Sequence, residues 1–131
     1  MRTLIVEDDS ISRRVLESSL SPYGECQIAV NGKQAIEAFS AARKEGQRFD
    51  LICMDIMMPE MDGQEALKHI RSLEENAGVL PSDATKVIMT TALADFEDVI
   101  TAIEGDCNGY LLKPIKKEKL LAELKSLQLI S

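Results

Sequence analysis

Short apolar runs alternate strictly with helical patterns along this chain, and no other feature of the sequence narrows the fold so much. Thr3–Val6, Cys26–Val30, Leu51–Asp55, Val87–Ala92 and Tyr110–Leu112 read as strands. After each one, apolar side chains recur at helical spacing. They are Ile11, Val15, Leu16 and Leu20; Ala35, Ile36, Ala38, Phe39 and Ala42; Ala66, Leu67, Ile70 and Leu73; Phe96, Val99, Ile100 and Ile103; and Leu120, Leu121, Leu124 and Leu127. Strands joined through helices pair in parallel by right-handed crossovers, so the pattern predicts an open α/β sheet covered by helices on both faces. Five strands fit the flavodoxin-like doubly wound order 2-1-3-4-5, with the third strand central between the first and fourth.

The punctuation agrees with this alternation. Pro22 and Gly24 end the first helix, Asn31 caps the second with Gln34 three residues on, and Gly46 stops it. Asp62 with Glu65 has the form of a capping box for the third helix, and Gly105 closes the fourth. The stretch from Asn76 to Lys86, with Gly78, Pro81 and Ser82-Asp83, loses periodicity and reads as a long surface loop without chemistry of its own.

A chain of 131 residues is expected to form one domain over 1–131, able to bury a core without disulfides or metal staples. No stretch is long and apolar enough to insert in a bilayer, and charge returns at Glu7 too early for a signal peptide, so the cytoplasm is the expected location. A net charge of -7 without a basic stripe argues against nucleic acid as a direct ligand and favours a cation. Cys26, Cys53 and Cys107 are scattered without metal-ligand spacing and read as free buried thiols.

Asp55 closes an apolar strand, and a carboxylate there is costly to bury unless a metal, a lysine or a structural cap neutralises it. Ligands of such sheets bind beyond the carboxyl ends of the strands. In this chain Glu7 and Asp8 follow strand one, Asp55 ends strand three, Thr91 ends strand four and Lys113 ends strand five. Clustered carboxylates call for a divalent cation, and an all-oxygen set suits magnesium, with manganese as the alternative, over zinc. A hydroxyl and an ammonium beside Asp55 are the groups needed to hold a phosphoryl oxygen. Lys113 lies two strand spacings away, about 9.5 Å, a gap that the two side chains can close together.

Glu7-Asp8, Met54-Asp55-Ile56-Met57-Met58-Pro59 with Asp62-Gly63, Thr91-Ala92 and Tyr110–Pro114 together resemble the receiver domain of two-component response regulators, over nearly the whole chain. The resemblance implies a phosphorelay switch in its stand-alone, CheY-like form, without an output domain. It implies that Asp55 accepts a phosphoryl group from a phosphohistidine on a sensor histidine kinase or a histidine phosphotransfer protein. It also implies magnesium held by Asp8, Asp55 and the backbone carbonyl of Met57, with Glu7 assisting through water, and Lys113 neutralising charge on the transferring oxygens. Thr91 and Tyr110 are similar to the family's switch pair. The resemblance further implies a cis Lys113-Pro114 peptide, and a target-binding face that runs from the fourth helix through strand five to the last helix. A monomer or weak dimer is expected. Met57 and Leu93 occupy positions that family members vary to tune the lifetime of the acyl phosphate, and both are apolar here.

Two rival readings place the chain in other classes. A magnesium-dependent phosphatase that forms an aspartyl phosphate needs a second aspartate two residues after the nucleophile, where this chain has Met57. The implied activity is therefore limited to self-phosphorylation and slow autodephosphorylation, not enzymatic turnover. A flavin or nucleotide carrier needs a glycine-rich phosphate cradle, and neither G-x-G-x-x-G nor G-x-x-x-x-G-K-[ST] occurs. His69 reads as a solvated or half-buried helix residue. The methionines at 54, 57, 58, 61 and 89 read as core and loop packing, and Lys116, Lys117 and Lys119 as a solvated helix face.

Overall fold

A computed structural model describes residues 1–58, 60–92 and 106–131. Five strands form one parallel sheet in the order β2-β1-β3-β4-β5: β1 (Thr3–Val6), β2 (Cys26–Ala29), β3 (Leu51–Asp55), β4 (Lys86–Thr91) and β5 (Gly109–Leu112). The described helices are α1 (Ser10–Leu20), α2 (Gly32–Lys44), α3 (Gly63–Asn76) and α4 (Lys117–Ser126), with short 3-10 turns at Ser21–Tyr23 and Pro81–Asp83. The helix expected at Phe96–Ile103, its stop at Gly105, Leu93 and Pro59 lie outside the described residues.

β3 is apolar up to its last residue, Asp55, because both its faces are covered. Ile52 and Met54 pack with Phe39, Ala42, Ala66, Leu67 and Ile70 of α2 and α3. Leu51 and Cys53 point the other way, toward Leu16 and Leu20 of α1 and Leu120 and Leu124 of α4. The helices begin where side chains satisfy their orphan amides. Asn31 Oδ1 accepts from the Gln34 amide at 2.8 Å, and Asp62 Oδ1 accepts from the Glu65 amide at 2.9 Å. Asp9 caps α1 through the Ser12 amide and hydroxyl, at 3.0 and 2.8 Å. Gly46, at φ 72°, takes the left-handed turn that ends α2. The Lys113-Pro114 bond is cis.

Three expectations are corrected. Ile11, assigned to the inward stripe of α1, is 73% exposed, because α1 starts only at Ser10 and its first turn projects past the core. Of the three cysteines, all free, only Cys53 is buried; Cys26 and Cys107 are half-buried, near the starts of β2 and β5.

The loop after α3 is tied down more firmly than its composition suggested. Glu74 is buried, with Oε1 2.7 Å from Arg71 Nη1 and Oε2 accepting from the Thr85 amide at 2.8 Å. Arg71 also donates to the carbonyls of Thr85 and Asp106 and to Asn108 Oδ1. Asn108 Oδ1 in turn accepts from the Val87 amide at 2.8 Å. One arginine thus fastens α3 to the amino ends of β4 and β5. That leaves the carboxyl ends of the strands as the place where charged side chains meet.

Candidate functional site

Each acidic residue of the site stands where a strand has run out. β1 ends at Val6, and Glu7 is held by its amide on the Ala29 carbonyl of β2 at 3.0 Å. Its side chain turns inward and is fully buried. Asp55, 5% exposed, is the last residue of β3 and pairs in register with Thr90 of β4. The chain then turns sharply: the Ile56 amide donates to Thr90 O at 3.0 Å, and Ile56 O accepts from the Gly63 amide at 2.8 Å. Gly63 is required there by space, since a Cβ would lie 2.3 Å from the Asp55 carbonyl oxygen.

Glu7, Asp8 and Asp55 each offer a carboxylate oxygen, and these atoms all lie within 4.8 Å of one another. Lys113 closes the opposite side. Its Nζ donates to Glu7 Oε1 at 2.9 Å and lies 3.2 Å from Asp55 Oδ2. Asp55 Oδ1 receives a long contact from the Met57 amide, at 3.4 Å.

Burial decides the direction of both carboxyl shifts. It raises Glu7 from 4.5 to about 7, assisted by the charge of Asp55 and opposed by the hydrogen bond from Lys113. Burial also raises Asp55, against the charge and hydrogen bond of Lys113. For Lys113, burial acts to lower the pKa, but the hydrogen bond to Glu7 and the charge of Asp55 outweigh it, and the net shift is upward. Three carboxylates thus share one lysine, and burial disfavours the ionised forms of Glu7 and Asp55. Glu7 Oε2 is buried without a hydrogen-bond partner. An orphaned carboxylate oxygen inside an all-oxygen cluster fits a hard divalent cation such as magnesium.

The remaining residues singled out in the sequence are distributed around this cluster. Thr91 is buried at the end of β4, one residue past the partner of Asp55, and its hydroxyl donates to the Ala92 carbonyl at 3.3 Å. Its own carbonyl accepts from the Lys113 amide at 2.8 Å, which links the ends of β4 and β5. Tyr110 pairs with Met89, lower on β5, and is 43% exposed. Met57 is 59% exposed and does not belong to the packing set in which the sequence placed it. Met54 and Met89 are buried, Met58 and Met61 pack partly against the core, and His69 is exposed on α3.

No sequence motif singles out Arg13, whose Nη1 donates to the Glu7 carbonyl at 3.1 Å. Asp9 was likewise hidden in a run of three acids, and only the start of α1 at Ser10 shows it to be a cap.

Comparison with known proteins adds an independent line. The chain is 36% identical over 132 residues to the regulatory protein AtoC of Escherichia coli, covering 99% of this chain and 26% of that one. It is 30% identical over 122 residues to an osmosensing histidine protein kinase of Saccharomyces cerevisiae, covering 92% of this chain and 9% of the kinase. It therefore spans only a fraction of the length of these relatives. Among solved structures, the receiver domain of a sensor histidine kinase from Pseudomonas aeruginosa superposes with a TM-score of 0.75 at 31% identity. That match covers 95% of this chain and 94% of the other, whose structure has a magnesium ion coordinated in the active-site cleft. The profile of the response regulator receiver domain matches residues 3–125, and by that match the chain belongs to the receiver domain family of two-component systems.

Proposed function

We propose that this receiver domain accepts a phosphoryl group on Asp55 from a phosphohistidine of a sensor histidine kinase or histidine phosphotransfer protein, and signals through protein contacts. The observation that carries this reading is the position of Lys113 Nζ, between Glu7 and Asp55 and beside the acidic trio. That arrangement sets an ammonium on one side of Asp55, and a divalent cation held by the acidic trio would supply positive charge on the other, as attack on an anionic phosphoryl group requires.

Asp8, Asp55 and the Met57 carbonyl would hold magnesium, with Glu7 assisting through water. Bound there, magnesium neutralises charge on the transferring oxygens. The Asp55 carboxylate attacks phosphorus directly, so no general base is needed. The new oxygen–phosphorus bond forms as the phosphorus–nitrogen bond breaks, and the imidazole leaves with the electron pair and takes a proton from solvent. Lys113 moves its contact from the free carboxylate to a phosphoryl oxygen. The Thr91 hydroxyl, which donates to the neighbouring Ala92 carbonyl, turns toward the phosphoryl group. Met57 supplies no acid or base at the rim, so the acyl phosphate hydrolyses slowly.

Acetyl phosphate with magnesium tests this on the purified chain. It should add one base-labile phosphoryl group, and Asp55→Asn should abolish the addition. Labelling retained in the Asn variant would overturn the assignment.

A further inference from the structure

We infer that Arg13 is a positioning residue for the cation-binding loop, an inference that rests on reading Glu7, Asp8 and Asp55 as a magnesium site. Glu7 and Asp55 are buried and fixed by their surroundings, whereas Asp8 is the exposed member of the trio. An exposed carboxylate takes its direction from the backbone that carries it.

The peptide joining Glu7 to Asp8 is planar, so the direction of the Glu7 carbonyl also sets the Asp8 amide and the point from which its side chain departs. Arg13 Nη1 donates to that carbonyl at 3.1 Å. On the other side of Asp8, the Asp9 amide donates to Glu7 Oε1 at 3.2 Å, and the Asp9 carboxylate caps α1 through Ser12. The Arg13 amide donates to the Asp9 carbonyl at 2.9 Å, in the first turn of the same helix. Both flanks of Asp8 are thus fastened to one rigid helix end. Mutual repulsion of three carboxylates drives the exposed one outward, and a charged donor on the Glu7 carbonyl opposes that displacement.

The sign of the effect separates positioning from charge. Acting as a nearby cation only, Arg13 would repel magnesium, and its removal would tighten binding. Acting by position, its removal loosens binding.

The test titrates wild type, Arg13→Met, Arg13→Lys and Asp8→Ala with magnesium alone. Amide shifts of Glu7, Asp8 and Asp9 report binding, and urea unfolding without magnesium reports stability. Arg13→Met should weaken magnesium binding about three- to tenfold, the equivalent of one ordinary hydrogen bond. Arg13→Lys should recover part of the loss, remaining weaker than wild type. Tighter binding by Arg13→Met would make Arg13 a nearby charge only, and unchanged binding with a lower urea midpoint would make it a packing residue; either overturns the inference. If Arg13→Met does not fold, the Lys variant decides: weaker binding than wild type supports positioning, and equal or tighter binding overturns it. The magnesium reading fails separately, and takes the inference with it, if wild type shows no magnesium-dependent shifts at these residues or if Asp8→Ala titrates like wild type.

Discussion

Glu7 has one oxygen on Lys113 and the other buried without a partner, and burial raises its pKa from 4.5 to about 7. The folded value lies above the unfolded one, so the protonated group contributes stability that is fully present below 4.5 and lost as pH rises through about 7. A bound cation favours the ionised form and releases the proton. Magnesium affinity should therefore rise from about pH 6 to about pH 8, with proton release that Glu7→Gln lacks. Calorimetry in buffers of different ionisation enthalpy measures this, and an affinity flat across that range would contradict it. At Gly63, a Cβ would meet the Asp55 carbonyl oxygen at 2.3 Å and Ile56 Cα at 3.0 Å, so relief requires moving backbone. Gly63→Ala should cost about 2 kcal/mol and shift the Asp55 amide; a urea midpoint equal to that of wild type would contradict this. Asp55 and Lys113 were legible in the sequence because a charge that ends an apolar strand needs explaining. Asp9 and Arg13 were not, because their roles depend on where α1 starts and where one carbonyl points, and periodicity carries neither.

Elements were legible as far as their burial patterns run. The apolar faces of α2, α3 and α4 follow the spacing of their side chains, because their buried residues join the same apolar clusters as the strands. The first turn of α1 does not, and Ile11 is left exposed. The connection from α3 to β4 escaped for a different reason: it is anchored by polar side chains, which leave no periodic trace. Arg71, with its side chain 21% exposed, serves Glu74, Thr85, Asp106 and Asn108 at once, and Glu74 is 5% exposed. Arg71→Ala would leave the buried Glu74 carboxylate with only the Thr85 amide among these partners. The expected cost is about 3 kcal/mol in urea unfolding, and a loss within about 0.5 kcal/mol would show the cluster to be solvated.

The whole molecule was the most legible scale, because strict alternation of strands and helices admits few topologies, and the observed order is the doubly wound one. That order places Asp55 on the central strand, with β4 and β5 on one side of it. The Lys113 amide on the Thr91 carbonyl joins the ends of those two strands. A phosphoryl group that draws Thr91 and Lys113 toward itself must therefore disturb β5 and α4 first, as a population shift driven by contacts better made in the active state. A beryllofluoride mimic of the phosphoryl group should move amide resonances in Gly109–Leu112 and Lys117–Ser126. In Thr91→Ala these changes should shrink while the mimic still binds at Asp55; changes undiminished in the variant would contradict the coupling. The central claim is the acceptor itself. The most direct measurement is reductive trapping with borohydride after phosphorylation by acetyl phosphate and magnesium, read by peptide mass spectrometry. The expected product is homoserine at position 55 alone, whereas an unreduced Asp55 in a phosphorylated chain, or trapping at another carboxylate, would contradict it.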